Sequence, residues 1–89
     1  MCVGLDFIYF ILHSPINNVY AVFKYNPAAH NVIVVDDFGF GTCKIHPANA
    51  TVYSSGNDRV TLHRGEINFI SGKADDCDKG LKITVFVRP

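Results

Sequence analysis

The sequence has 89 residues, of which 48% are hydrophobic and 18% charged, and its formal net charge at pH 7 is zero. This length allows one domain, and this composition is typical of a globular chain and not of a disordered one. The balanced charge excludes the strongly basic surface of a nucleic-acid-binding protein, so we expect no nucleic-acid partner. No hydrophobic run reaches the length of a membrane span, so we expect no transmembrane segment.

The chain opens with an apolar stretch, Phe7–Leu12. Asp6 precedes it, no basic residues lie before it, and no small-residue cleavage site follows it. A secretion signal requires these basic and small-residue flanks, so we find no convincing signal peptide and predict a buried strand instead.

Short strands separated by turns are predicted along the rest of the chain. Residues 18–25 alternate with a period of two, and Asn26-Pro27 ends this strand with a turn. Segment 37–43 is predicted to be a loop with one helical turn, and 54–58 to be a turn. Further strands are predicted at 31–35, 51–53, 59–63, 66–70 and 82–87, with a core of Val19, Ala21, Phe23, Val32, Val34, Val60, Leu62, Phe69, Ile83 and Val85. This order of elements predicts a single all-β domain, either a sandwich or a barrel.

The three cysteines, Cys2, Cys43 and Cys77, form no CxxC pair, which excludes a zinc ribbon or a thioredoxin-like motif. A disulfide between Cys43 and Cys77 would stabilise the folded state by roughly 3 to 4 kcal/mol and leave Cys2 unpaired. Three reduced thiols in a cytosolic protein are the alternative, and the residues alone leave both open. Asn49-Ala50-Thr51 is an N-glycosylation sequon with Asn49 as the candidate acceptor, which favours the secretory pathway.

Three segments in the same order resemble the phytocyanin family, and within it the plantacyanins, or plant basic blue proteins. Residues 23–32 resemble the family's strand, Asn-Pro turn and first histidine ligand. Residues 40–43 and 50–58 resemble its first disulfide cysteine and the following strand and turn. Residues 68–83 resemble its ligand loop.

The resemblance implies a cupredoxin-like Greek-key β-sandwich whose opening strand is altered or missing. It divides the chain into a divergent N-terminal segment, 1–17, and a phytocyanin-like domain, 18–89. Because 1–17 lacks the tryptophan-bearing opening of the family, we expect a truncated N-terminus, with Phe7–Leu12 as a replacement strand or a degenerate signal. The family also implies an extracellular or cell-wall location, a copper cofactor, electron transfer and a Cys43–Cys77 disulfide.

The family's four copper ligands correspond to His30, Ser71, Asp76 and Leu81, of which only His30 matches the family's ligand type. A blue copper site needs a thiolate, two imidazoles and a weak axial donor. A serine hydroxyl stays protonated and is a hard donor, leucine offers no donor, and aspartate favours harder ions. We therefore expect a redox-inactive protein without a type 1 copper site, although His30 and Asp76 could hold a divalent ion weakly.

Other interpretations of these residues remain. Ser71, His30 and Asp76 are the residue types of a hydrolase triad, but no nucleophile elbow or oxyanion-hole segment accompanies them, so we predict no catalytic residues and no enzyme. His30 and Asp76 could equally be solvated loop residues at the tip of the sandwich. Two functions stay open: a copper electron carrier, or a copper-free, early nodulin-like extracellular module. The second would bind a cell-wall glycan or a surface protein, or serve as structure, and the residues do not identify its partner.

Overall fold

The structure is a computed structural model that describes residues 2–5, 8–13 and 19–88. Over these ranges the chain forms strands β1 (Cys2–Leu5), β2 (Ile8–His13), β3 (Val19–Tyr25), β4 (Val32–Val35), β5 (Val52–Tyr53), β6 (Asn57–Leu62), β7 (Gly65–Ile70) and β8 (Lys82–Val87), with helix α1 (Asp37–Thr42) between β4 and β5. Sheet A has the strand order β1-β2-β3-β6 and sheet B the order β5-β4-β7-β8. Neighbouring strands in both sheets are antiparallel. The predicted single-domain, all-β sandwich is confirmed.

The main core lies between the two sheets and follows from the period-two patterns of the strands. On β3, Ala21 and Phe23 point into the sandwich and are buried. Phe23 of sheet A meets Phe69 of sheet B with ring centroids 4.9 Å apart and a tilt of 54°, a favourable aromatic geometry. All ten residues predicted for the core belong to this cluster, either buried in it or packed against it.

A second apolar cluster lies on the outer face of sheet B and was not separated from the first by the sequence analysis. It contains Ile33, Val35, Ile70 and Cys77, covered by Phe40, Cys43 and Ala50. Strand β4 therefore buries side chains on both of its faces, which explains its uninterrupted apolar sequence.

Helix α1 covers this outer face, although it contains two glycines. The Asp36 side chain caps its N-terminus by accepting from Gly39 N at 2.9 Å. This backbone hydrogen bond, with a smaller contribution from His46, lowers the pKa of Asp36. A Cβ on Gly39 would lie 2.7 Å from Val35 Cβ and 2.8 Å from the Lys44 carbonyl oxygen, so only glycine lets the helix approach β4 this closely. The predicted loop with one helical turn is thus a helix of six residues.

Polar contacts fasten α1 to sheet B. Asn68 Nδ2 donates to Asp37 Oδ1 at 3.1 Å, and Asn68 Oδ1 accepts from Thr84 Oγ1 at 2.7 Å. At the other end, Lys82 Nζ donates to the Phe40 carbonyl at 3.0 Å and lies 4.6 Å from the centre of its ring. A hydrogen bond to Asp37 raises the pKa of Glu66 on the same face. These contacts hold both the first turn of α1 and the turn that leads to Cys43 against sheet B.

Strand β6 begins inside the segment predicted to be a turn, since Asn57 and Asp58 pair with β3. The buried Asp58 accepts from the Tyr25 hydroxyl and, at 2.6 Å, from Ser55 Oγ. Burial and the hydrogen bond to Asp58 raise the pKa of Tyr25 to about 12. The local sequence resembles a turn, but Asp58 belongs to β6 because it pairs with the neighbouring strand β3 and accepts from the Tyr25 hydroxyl.

The predicted N-terminal strand, Phe7–Leu12, corresponds to β2 from Ile8 onwards, and Phe7 lies outside the described residues. Strand β2 pairs with β3 from Ile8↔Tyr25 to His13↔Tyr20. It supplies β3 with a neighbour on the side away from β6. The predicted domain boundary, between residues 17 and 18, lies outside the described residues. In the part of the chain that the structure describes, no helix is long and apolar enough to cross a membrane.

Candidate metal centre

His30 lies in the connection between β3 and β4, and the local sequence determines its position. The carbonyl oxygen of Asn26 accepts from Ala29 N at 3.1 Å and from His30 N at 3.0 Å. The Asn26 side chain also accepts from Ala28 N at 3.0 Å, which is the self-capping turn that asparagine favours. This compact turn returns the chain to β4 and leaves His30 only 6% exposed.

Ser71 follows directly after β7 and is 2% exposed. Its hydroxyl donates to Asp76 Oδ2 at 2.7 Å and accepts from Asn31 N at 3.3 Å. Asn31 Oδ1 in turn accepts from Gly72 N at 2.6 Å. Asn31 therefore joins the two loops through both its backbone and its side chain. Asn31 was not among the predicted site residues, because its position next to His30 is the only local signal.

Asp76 projects from the turns that connect Ser71 to β8. Its Oδ2 accepts from Ser71 Oγ and also from His30 Nδ1, both at 2.7 Å. The interpretation of His30 and Asp76 as solvated loop residues is wrong, because the side chains are only 8% and 16% exposed and bond to each other. An unsatisfied polar atom destabilises the folded state more when it is buried, so these hydrogen bonds contribute more to stability here than they would on the surface.

Leu81 belongs to the same site through its backbone. Its N–H donates to the Asp76 carbonyl at 2.9 Å, and its carbonyl accepts from Ser71 N at 3.1 Å. Its side chain packs against the main core. The structure thus brings His30, Ser71, Asp76 and Leu81 together at one end of the sandwich.

The polar side chains of this site form hydrogen bonds with one another. Within the described ranges, no buried polar side-chain atom lacks a hydrogen-bond partner. The Ser71 proton is directed at a carboxylate, whereas the nucleophilic serine of a hydrolase donates to an imidazole. Its near-complete burial also keeps a substrate from its oxygen. The arrangement is suited to holding two loops together and not to acyl transfer.

A disulfide joins Cys43 to Cys77 in the cluster on the outer face of sheet B, with Cα atoms 5.6 Å apart. It joins the end of α1 to the residue after Asp76. This is the pairing that the family resemblance implies. The alternative of three reduced thiols is therefore wrong.

Comparison with known proteins identifies the chain. Residues 17–81 match the family described as the plastocyanin-like domain. Over 64 residues the chain is 47% identical to the basic blue protein of Cucumis sativus and 48% identical to chemocyanin of Lilium longiflorum. The chain is a phytocyanin. In each comparison the match covers 72% of this phytocyanin, and it spans 66% of the cucumber relative and 50% of the lily relative.

Solved structures confirm the cupredoxin-like fold. Cucumber basic protein, a blue copper protein, matches with a TM-score of 0.71 and 45% identity, over 74% of this phytocyanin and 68% of that chain. A further relative is early nodulin-like protein 22 of Arabidopsis thaliana, 39% identical over 64 residues, which are 71% of this phytocyanin and 45% of the relative.

Proposed function

We propose that this phytocyanin does not transfer electrons through a type 1 copper ion and acts as a copper-free extracellular binding or structural module. The observation that carries the proposal is the pair of hydrogen bonds at Asp76 Oδ2, from Ser71 and from His30. These hydrogen bonds link three of the four residues at which the family resemblance places copper ligands.

The donor set does not fit type 1 copper. Cuprous ion requires soft donors, above all a thiolate, and the thiolate also produces the intense visible band. At the corresponding positions, Ser71 offers a protonated hydroxyl already bonded to Asp76, and Leu81 directs its side chain into the core. Among the described residues, no three histidine, cysteine, aspartate or glutamate side chains converge as a metal-binding group.

A divalent ion at His30 and Asp76 would bind weakly. Coordination through His30 Nδ1 would replace the hydrogen bond that this nitrogen makes to Asp76 Oδ2. It would also compete with the Ser71 hydroxyl for the same carboxylate oxygen. Two protein ligands fall short of the three or four that zinc sites use.

The disulfide supports an extracellular location, because such bonds persist in oxidising compartments and are rare in the cytosol. The relative named early nodulin-like protein 22 supports the early nodulin-like alternative. A glycan of the cell wall or a protein of the cell surface is the partner class that we propose, and we propose no catalytic activity.

Copper titration of the full chain tests the proposal. The disulfide-bonded protein is titrated with cupric ion while visible absorption, electron paramagnetic resonance and bound metal are measured. Cucumber basic protein serves as the positive control, since it is a blue copper protein. We expect no strong visible band and at most weak, chelator-sensitive cupric binding. A strong visible band with the narrow copper hyperfine splitting of a thiolate site would overturn the proposal.

Binding to glycans tests the second part. The full chain is applied to an array of plant cell-wall saccharides with and without a metal chelator. Binding that the chelator leaves unchanged supports a copper-free module, and binding that the chelator abolishes contradicts it.

A further inference from the structure

We propose that Asn49 carries an N-linked glycan, and that this glycan shields the edge of sheet B at β5. The proposal rests on the extracellular location included in the proposed function. The glycosylation site is separate from the candidate metal centre, because it includes none of the residues that surround Asp76.

The sequon is presented in the way that the modification requires. Asn49 and Thr51, the two residues that define it, are both exposed, whereas Ala50 between them is partly buried. Ala50 packs against the cluster on the outer face of sheet B, and its N–H donates to the Pro47 carbonyl at 3.0 Å. Because Ala50 faces inward, Asn49 and Thr51 on either side of it face the solvent.

The backbone holds this arrangement in place. The Thr51 carbonyl accepts from Val34 N at 3.1 Å, which anchors the end of the sequon to β4. Asn49 itself lies in the turn before that anchor. A glycan here projects from the surface without displacing a core residue or a strand hydrogen bond. The sequence of 89 residues contains no other Asn-x-Ser/Thr triplet, so any N-glycan must be attached at this position.

The surface beside Asn49 has a feature that a glycan would cover. Strand β5 is an edge of sheet B and consists of two residues. Its Val52 is 48% exposed, and Ile45, in the loop that leads to the sequon, is 54% exposed. An uncovered edge with apolar side chains favours pairing with other chains, and proteins protect such edges with charges, proline or a covering segment. A glycan three residues before Val52 would provide that cover.

The modification is a group transfer from a lipid-linked oligosaccharide diphosphate. A bond forms between Asn49 Nδ2 and C1 of the first sugar, while the bond from C1 to the phosphate oxygen breaks. The lipid diphosphate leaves with the bonding electrons, and the amide loses one proton to a base. No oxidation or reduction takes place.

The test expresses the full chain behind a cleavable secretion leader in eukaryotic cells, so that entry to the secretory pathway does not depend on the natural location. Whole-cell extract and medium are both treated with a peptide N-glycosidase, because transfer happens on entry and poor secretion cannot hide it. Release converts the carrier asparagine to aspartate, which peptide mass spectrometry locates. We expect modification at Asn49 in the wild type and in Thr51→Ser, and none in Asn49→Gln or Thr51→Ala. A disulfide-bonded wild type with unmodified Asn49 would overturn the site.

Light scattering tests the shielding. We expect the enzymatically deglycosylated protein and Asn49→Gln to self-associate more than the glycosylated wild type. Adding Val52→Lys to Asn49→Gln should restore the monomer, because a charge on the edge strand replaces the cover. Equal self-association with and without the glycan would contradict the shielding. Neither result depends on copper, so a failure here is distinguishable from a failure of the copper-free proposal.

Discussion

The Ser71 hydroxyl and the Asp76 carboxylate are joined by a hydrogen bond of 2.7 Å, and this bond occupies the centre of the candidate site. The same carboxylate oxygen accepts from His30, 46 residues away in the sequence. The carboxylate thus connects residues from two separate loops. The hydrogen-bond cluster therefore links the β3–β4 connection to the β7–β8 connection.

Ser71→Ala tests this structural role. The substitution removes the acceptor of Asn31 N and a donor to Asp76, leaving buried polar groups unsatisfied. We expect the free energy of unfolding to fall by roughly 1 to 3 kcal/mol, measured by urea denaturation with the disulfide intact. The matched control is Asp78→Ala in the same loop, which is exposed and should change stability by no more than about 0.5 kcal/mol. Equal effects of the two substitutions would show that the cluster contributes nothing specific.

Restoring two of the three missing donors should create a coloured copper site. In Ser71→Cys with Asp76→His, a thiolate and a second imidazole would join His30, which completes a trigonal donor set. We expect added cupric ion to give a visible absorption band, measured against the wild type. Leu81→Met alone should give none, because an axial donor tunes a site that already exists. No colour in the double variant would show that these positions do not converge as we describe. Colour in Leu81→Met would show that the chain already holds a thiolate-bound copper ion.

The strands and the main core were predictable because they follow local periodicity. Alternating side chains on β3 and β6 indicate one buried face each, and that face is the one found. The outer cluster was not predictable in the same way. An apolar run such as β4 shows that both faces are buried but not what covers the second, and α1 covers it through a close approach that Gly39 permits.

The candidate site was only partly predictable for a similar reason. Its four positions came from a family resemblance, and nothing in the local sequence marks Asn31 as the residue that joins the loops. Its contacts to Ser71 and Gly72 cross 40 and 41 residues. The burial of His30 was not predicted, because residues after an Asn-Pro turn are normally exposed to solvent. His30 is buried because the folded loops bring Asp76 within hydrogen-bond distance of it.

Removing the disulfide should destabilise the protein substantially. Cys43 and Cys77 are 34 residues apart, and opening a loop of that length costs roughly 3 to 4 kcal/mol through the entropy of the unfolded chain. We expect that loss in Cys43→Ala with Cys77→Ala, compared by urea denaturation with a Cys2→Ser background that excludes thiol exchange. If chemical reduction of the background protein left its unfolding midpoint unchanged, the estimate from loop length would be wrong.

The acid side of the stability profile should depend on Asp36. The hydrogen bond from Gly39 N lowers the pKa of Asp36 below its ordinary value of 3.8, so the folded state favours the carboxylate. Its contribution is therefore complete above that ordinary value and is lost as pH falls through the lower, folded pKa. Asp36→Asn keeps a capping oxygen but does not titrate. We expect this variant to show a shallower loss of stability in acid, measured by urea unfolding at a series of pH values, and an unchanged slope would contradict the assignment.

The alkaline side should depend on Tyr25, whose pKa burial and the hydrogen bond to Asp58 raise from 10.0 to about 12. A raised pKa means that the folded state holds the phenol proton more tightly than the unfolded chain. The stability that this provides is complete below pH 10 and is lost as pH rises from 10 towards about 12. Tyr25→Phe removes the titrating group and also a donor to Asp58, so it should be less stable at neutral pH and lose less stability in alkali. Unfolding curves at neutral and alkaline pH measure both effects, and an alkaline loss as large as that of the wild type would show that Tyr25 is not its source.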